Sequence, residues 1–177
     1  IMNPAAVMSA PGPRELVEKY SVPGPRYTSY PSVLDWGEKP AEDRWLMALK
    51  SDLKIWKKAA LYIHIPFCER RCTYCGCNTQ ISPKHDPEEA FVDRLLAEWA
   101  LLKSRLGLRE IPLGEVHLGG GTPTYLAPAR LDRLLGGILS GAEKGCHSSI
   151  EVDPRVTTGD HLAVLARHGF RRLSLGI

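Results

Sequence analysis

Four of the five cysteines fall within ten residues: Cys68, Cys72, Cys75 and Cys77. Three thiolates at steps of four and three residues can wrap a compact loop around a cubane iron–sulfur cluster, each binding one iron. The fourth iron then lacks a protein ligand and stands open to a small molecule. Arg70 and Arg71, inside the loop, offset negative charge on thiolates and sulfides. Two further readings fit the same residues. All four thiolates, with His64 or His85 nearby, could make a tetrahedral zinc site, although structural zinc loops usually pair two knuckles roughly a dozen or more residues apart. The thiols could also stay reduced and unliganded.

The rest of the chain bounds what such a loop could serve. At 177 residues, 44% hydrophobic and 24% charged, it has enough apolar mass for a core and too much for disorder. A net charge of +3, spread along the chain, gives no reason to expect nucleic acid or an anionic membrane as partner. No apolar run reaches the ~18 residues that span a bilayer, and no charged start with an apolar centre marks a secretory signal. Clustered thiols without such a signal point to a reducing, cytoplasmic setting.

The elements that must position the loop follow from periodicity. Ile1 to Pro13 reads as a frayed leader, and Tyr20 to Pro31 as an ordered, irregular arm with prolines at 23, 25 and 31. Asp43 to Lys58 is predicted helical from Trp45, Leu46, Leu49, Leu53 and Trp56. From residue 60 strands and helices alternate. Leu61–Ile65, Glu115–Leu118, Ser149–Val152 and Arg172–Ile177 are predicted strands. Asp86–Gly107 is a predicted helix with Asp86 as N-cap, Pro87 at its first position and Glu89 closing a capping box. A helix carrying Leu131, Leu134, Leu135 and Ile138 follows the second strand, and Asp160–His168, ended by Gly169, follows the third. This order predicts an α/β fold with parallel strands and outer helices, divided into residues 1–59 (arm and helix) and 60–177. The pattern stops after a fourth strand, as in the first half of a larger (β/α) barrel; a complete four-stranded open sheet is the competing architecture.

The text around the cysteines narrows the reading. Cys68-x3-Cys72-x2-Cys75, in the loop after the first strand, resembles the signature of the radical S-adenosylmethionine (SAM) superfamily. Pro25-Arg-Tyr-Thr-Ser-Tyr-Pro31, Tyr62-Ile-His-Ile-Pro-Phe-Cys68, Cys75-Gly-Cys77, Gly119-Gly-Gly-Thr-Pro-Thr-Tyr125, Ile150-Glu-Val-Asp-Pro-Arg155 and Arg172-Leu-Ser-Leu-Gly176 are similar to segments of the oxygen-independent coproporphyrinogen III dehydrogenases within it. The resemblance runs from about Gly24 to the end of the chain. It implies a partial radical SAM barrel, with Cys68, Cys72 and Cys75 as ligands of a [4Fe–4S] cluster. It also implies SAM bound by Tyr62, by Tyr74 against the adenine, by Gly120, Gly121 and Thr122 at the methionyl amino group, and by Glu151 at the ribose. Cys77 is implied to be no ligand.

The implied activity is an oxidoreductase of haem (porphyrin) biosynthesis. It would decarboxylate two propionates of coproporphyrinogen III to vinyl groups, giving protoporphyrinogen IX. The implied partners are the porphyrinogen substrate and an electron donor of flavodoxin or ferredoxin type, with a monomeric full-length protein. Three rival functions fit the cysteine motif. The related haem chaperone usually lacks Cys77 and the arm motif, both present here. A haem-modifying radical SAM enzyme is disfavoured on the same ground, and a non-catalytic metal-binding module is the third. Asp153 and Arg155 are expected to form a loop salt bridge, and His117, His147, His161 and His168 to be surface or core residues. His64 is given no role, and Cys146 a structural one. Half a barrel is expected to expose apolar sheet, and the 177 residues alone to be poorly soluble and inactive.

Overall fold

A computed structural model describes residues 12–21, 35, 37 and 41–176. The leader before residue 12 and the arm motif at 25–31 lie outside the described residues. The chain divides into two compact units, 1–40 and 41–177. The first contains α1 (Pro13–Tyr20), where Glu15 accepts from the Gly12 N–H at 2.8 Å and Arg14 pairs with Glu18 one turn on. In the second unit come α2 (Glu42–Trp56), β1 (Ala59–Ile65), β2 (Phe67–Cys68), β3 (Gln80–Ile81), α3 (Glu88–Leu106), β4 (Leu113–Gly120), α4 (Pro128–Ile138), β5 (Ala142–Val152), α5 (Gly159–Arg167) and β6 (Arg172–Leu175). Helix α2 groups with the sheet, so the compact units part at 40/41 and not after residue 59, where the sequence reading divides the chain. Leu46 of α2 is buried in the sheet's core and Leu49 and Leu53 pack against it, while Trp45 and Trp56 stay exposed.

The main sheet has the order β1-β4-β5-β6, every pair parallel. Each new strand joins on the same side of the last. With right-handed crossovers, that progression puts α3, α4 and α5 on one face, as in a barrel wall, whereas a doubly wound sheet would reverse and cover both. Alternate strand residues therefore meet opposite environments. Ile63, Ile65, Val116, Leu118, Ile150 and Val152 point into the helix layer, where Leu131, Leu134, Leu135, Ile138, Val164 and Leu165 are also buried. The intervening residues form cross-strand rows on the other face, Tyr62 beside His117 beside Ser149, and Glu151 beside Ser174. Among the described residues no helix covers this face, and apart from Tyr62 its rows are polar. Exposed leucines on the sheet occur at β6, in Leu173 and Leu175, so the expected exposure of apolar sheet is limited to these positions.

The start of α3 also departs from the sequence reading. Pro87 flanks the helix with no side-chain cap, and Asp86 and Glu89 form no capping box. Glu88 is buried instead and accepts the Ala127 N–H at 3.0 Å, so the first turn of α3 caps α4. Glu89 is drawn into ion pairs with Arg130 and Arg133. Tertiary partners have taken both carboxylates. Helix α5 is capped by Thr158, and His161 stands where a capping box usually has Glu or Gln. Its Nδ1 accepts from the Thr158 N–H at 3.1 Å and its Nε2 donates to the Leu126 carbonyl at 2.9 Å, which accounts for a histidine that is buried. Among the described residues no helix is long and apolar enough to cross a membrane.

Candidate functional site

The cysteine loop leaves the end of β1 and is clamped at both ends by the two-residue strands β2 and β3, which pair in parallel. Gln80 N–H donates to the Pro66 carbonyl at 2.7 Å, and Ser82 N–H to that of Cys68 at 2.9 Å. Residues 69–79 thus span a fixed gap. His64 braces the loop from below: its Nε2 donates to the Asn78 carbonyl at 3.0 Å, leaving Nδ1 to accept from the Tyr62 hydroxyl at 3.0 Å. Sequence reasoning assigns His64 no role; the signal that could have found it is its place on the Tyr62 face of the strand.

The glycine turn after β4 lies against this frame. Gly121 N–H donates to the Ile65 carbonyl at 2.8 Å and Thr122 N–H to that of Phe67 at 2.9 Å. Gly120 has φ +116°, a backbone that side chains disfavour. At Gly121 the restriction is space, since a Cβ would come within 2.7 Å of the Phe67 oxygen and 2.9 Å of Cys68 Sγ. Thr122 Oγ1 lies 3.4 Å from the same sulfur.

Cys68, Cys72 and Cys75 line one cleft of about 310 Å3, with Tyr74, Gly120, Gly121, Thr122 and Glu151 on its other walls. Eight of the nine residues singled out from the sequence therefore meet in one place. Tyr62 stands one row away on the open face, stacked on His117 with ring centroids 5.8 Å apart. Glu151 accepts the Gly120 N–H at 3.2 Å and lies 3.6 Å from His117 Nε2. His117, whose Nδ1 is 2.7 Å from Ser149 Oγ, thereby joins the open-face network beside the cleft. Cys77 lies in the same cleft, where burial and then neighbouring Cys75 push its thiol pKa up.

Asp153 and Arg155 do form the expected salt bridge, with Arg155 Nη2 at 2.6 Å from Asp153 Oδ2. The same nitrogen also lies 3.4 Å from Cys72 Sγ, a contact across 83 positions that local spacing could not reveal. The Ile150–Arg155 motif is its only trace in the sequence.

These residues fit a [4Fe–4S] cluster. Among the described residues no three His, Cys, Asp or Glu side chains converge as a single metal ion requires, whereas a cubane gives each thiolate its own iron around a shared space. Gly121 keeps that space free beside Cys68, and Arg155 supplies positive charge beside Cys72. Burial, followed by the nearby thiols of Cys75 and Cys72, pushes the Cys68 thiol up against the lowering pull of Thr122. Metal loading would have to displace that proton.

The radical SAM superfamily model matches residues 62–177. The chain is 37% identical over 164 residues to the oxygen-independent coproporphyrinogen III oxidase of Escherichia coli, covering 92% of this chain and 35% of that protein. It is 35% identical over 168 residues to the protein of the same name from Pseudomonas aeruginosa, covering 92% and 36%. A solved structure, coproporphyrinogen III oxidase from Escherichia coli, described as a radical SAM enzyme, superposes with a TM-score of 0.74 at 34% identity, over 92% of this chain and 36% of that one. The chain spans about a third of the length of these relatives. Its sheet is a partial radical SAM barrel, its family implies a [4Fe–4S] cluster and SAM, and the chain belongs to the radical SAM superfamily.

Proposed function

We propose that the protein of which these residues are part catalyses the oxidative decarboxylation of coproporphyrinogen III propionates to vinyl groups, in porphyrin biosynthesis in the cytoplasm. The observation that carries this reading is the single cleft joining three cysteines, the glycine turn and Glu151, in a chain whose reported relatives bear that activity in their names. A cluster held by Cys68, Cys72 and Cys75 would supply the one-electron reduction of SAM from which hydrogen-atom abstraction at a propionate would follow.

The chain's own residues would bind and orient. Cys68, Cys72 and Cys75 would each hold one iron, and the turn at Gly120, Gly121 and Thr122, where a Cβ on either glycine would obstruct, would receive the methionyl amino group of SAM. Glu151 presents a carboxylate with capacity left for ribose hydroxyls. Tyr74, exposed on the loop between two ligands, offers a ring face to the adenine. Tyr62, tied to His64, would meet SAM from the neighbouring row. Loss of the hydrogen atom, one further electron and CO2 balances the conversion of each propionate to a vinyl group. The reading brings with it a one-electron donor of flavodoxin or ferredoxin type, an electron acceptor and a monomeric protein.

The test is anaerobic incubation of the intact protein with SAM, reductant and coproporphyrinogen III. Formation of 5′-deoxyadenosine together with CO2 and protoporphyrinogen IX is the expected result. Deoxyadenosine without decarboxylation would remove the substrate and keep the family.

A further inference from the structure

We propose that His85 is a positioning residue that locks the cysteine loop to the glycine turn. It lies between β3 and α3, outside the cleft and outside every motif singled out from the sequence. Its backbone has φ +60°, a left-handed conformation that a non-glycine residue keeps only when its surroundings enforce it.

Those surroundings are specific. His85 Nδ1 lies 2.5 Å from Glu88 Oε1, and Nε2 lies 3.1 Å from Glu69 Oε1. Both ring nitrogens thus lie within hydrogen-bond reach of a carboxylate, and the ring is held from two sides. Burial pulls its pKa down, but the hydrogen bonds to Glu88 and Glu69 outweigh this and raise it above the ordinary histidine value. The ring also stacks on Tyr125, with centroids 4.0 Å apart and planes 3° from parallel. Glu69 follows Cys68 in the loop, while Tyr125 closes the turn that begins at Gly119 and is itself anchored through its hydroxyl to the Ser82 carbonyl at 2.7 Å. Glu88, nearly fully buried, fixes the assembly to the starts of α3 and α4.

One imidazole ring thus joins the loop that carries the cysteines to the turn that faces them. A merely local role, holding the bend before α3, would not require the bond to Glu69, 16 residues away. The value of the lock for cluster binding rests on the proposed function, but its mechanical action does not.

Arg70 and Arg71 are exposed within the loop and provide a direct readout by native-state trypsin cleavage. In the intact protein, His85→Gln and Glu69→Gln should each speed cleavage after these residues by about tenfold or more, the factor expected when one charge-assisted hydrogen bond is lost from a local opening. Cleavage at Arg94 and Arg105 in α3 should keep the wild-type rate, and the double variant should add little to either single one. Iron retained after anaerobic reconstitution should fall in both. Glu69→Gln alters a half-exposed loop side chain, so it keeps the test open if His85→Gln fails to fold. Wild-type cleavage in folded Glu69→Gln, or equal acceleration at the α3 sites, would overturn the proposal. Since cleavage is measured before and after reconstitution, a wild-type protein that takes up no iron would count against the proposed function alone.

Discussion

On the helix-covered face of the sheet, Ile65, Val116, Leu118 and Ile150 have no exposed surface at all. On the other face of the same strands, Tyr62 keeps 55% of its surface exposed, and His64, His117 and Glu151 are held by hydrogen bonds. Burial of apolar area secures the first face, while oriented polar groups on the second leave space for a ligand. Stability and site geometry are thereby assigned to alternate residues of one strand, and a substitution one position along should change which of the two suffers.

The sharpest contrast lies in the cysteine loop. Replacing Cys68, Cys72 or Cys75 by Ser in the intact protein should abolish SAM cleavage while leaving the thermal unfolding of the cluster-free protein nearly unchanged. Deoxyadenosine assays and calorimetry read the two effects separately. Cys77→Ser should retain its iron. Next in size, Leu118→Ala on the covered face should lose about 2–5 kcal/mol of stability, whereas Tyr62→Phe on the open face should lose less than about 1 kcal/mol. Denaturant titration measures both, and equal losses would break the division between faces.

Gly121→Ala tests the junction between the two roles. Its Cβ would press on the Phe67 and Pro66 oxygens and on Cys68 Sγ, so about 1–3 kcal/mol of stability and a share of the bound iron should be lost together. The smallest effect is expected in the helix layer, where Asp132 ties α4 to α5. Hydrogen bonds from His168 and then Arg167 hold its pKa below the usual carboxylate value. The unfolded chain binds that proton more readily, so the contribution is present above about pH 4 and disappears as pH falls through the lowered value. Asp132→Asn should flatten the acid limb of a stability–pH curve.

Much of this arrangement is legible in the residues. Alternation in Leu61–Ile65 sets the parity of β1, and the spacing of Leu131, Leu134, Leu135 and Ile138 marks the buried face of α4. The order of elements implies parallel pairing. The polar character of the open face is also written in Tyr62, His64, His117 and Glu151, yet the expectation of exposed apolar sheet overlooks it. Other features leave no local trace. Strands β2 and β3 have two residues each, too few for any period, and pair across a loop. The diversion of Glu88 and Glu89 from capping depends on α4, about 40 positions on. Arg155 meets Cys72, and His85 meets Glu69, through tertiary approach alone.

The seam joining the exit of β1 to the turn after β4 is sewn from peptide groups, Gly121 to Ile65 and Thr122 to Phe67. Main-chain stitches survive exchange of the side chains they carry, provided the new ones fit and are not proline. An engineer could therefore vary the Thr122 side chain to retune the environment of Cys68 while the seam itself stays closed.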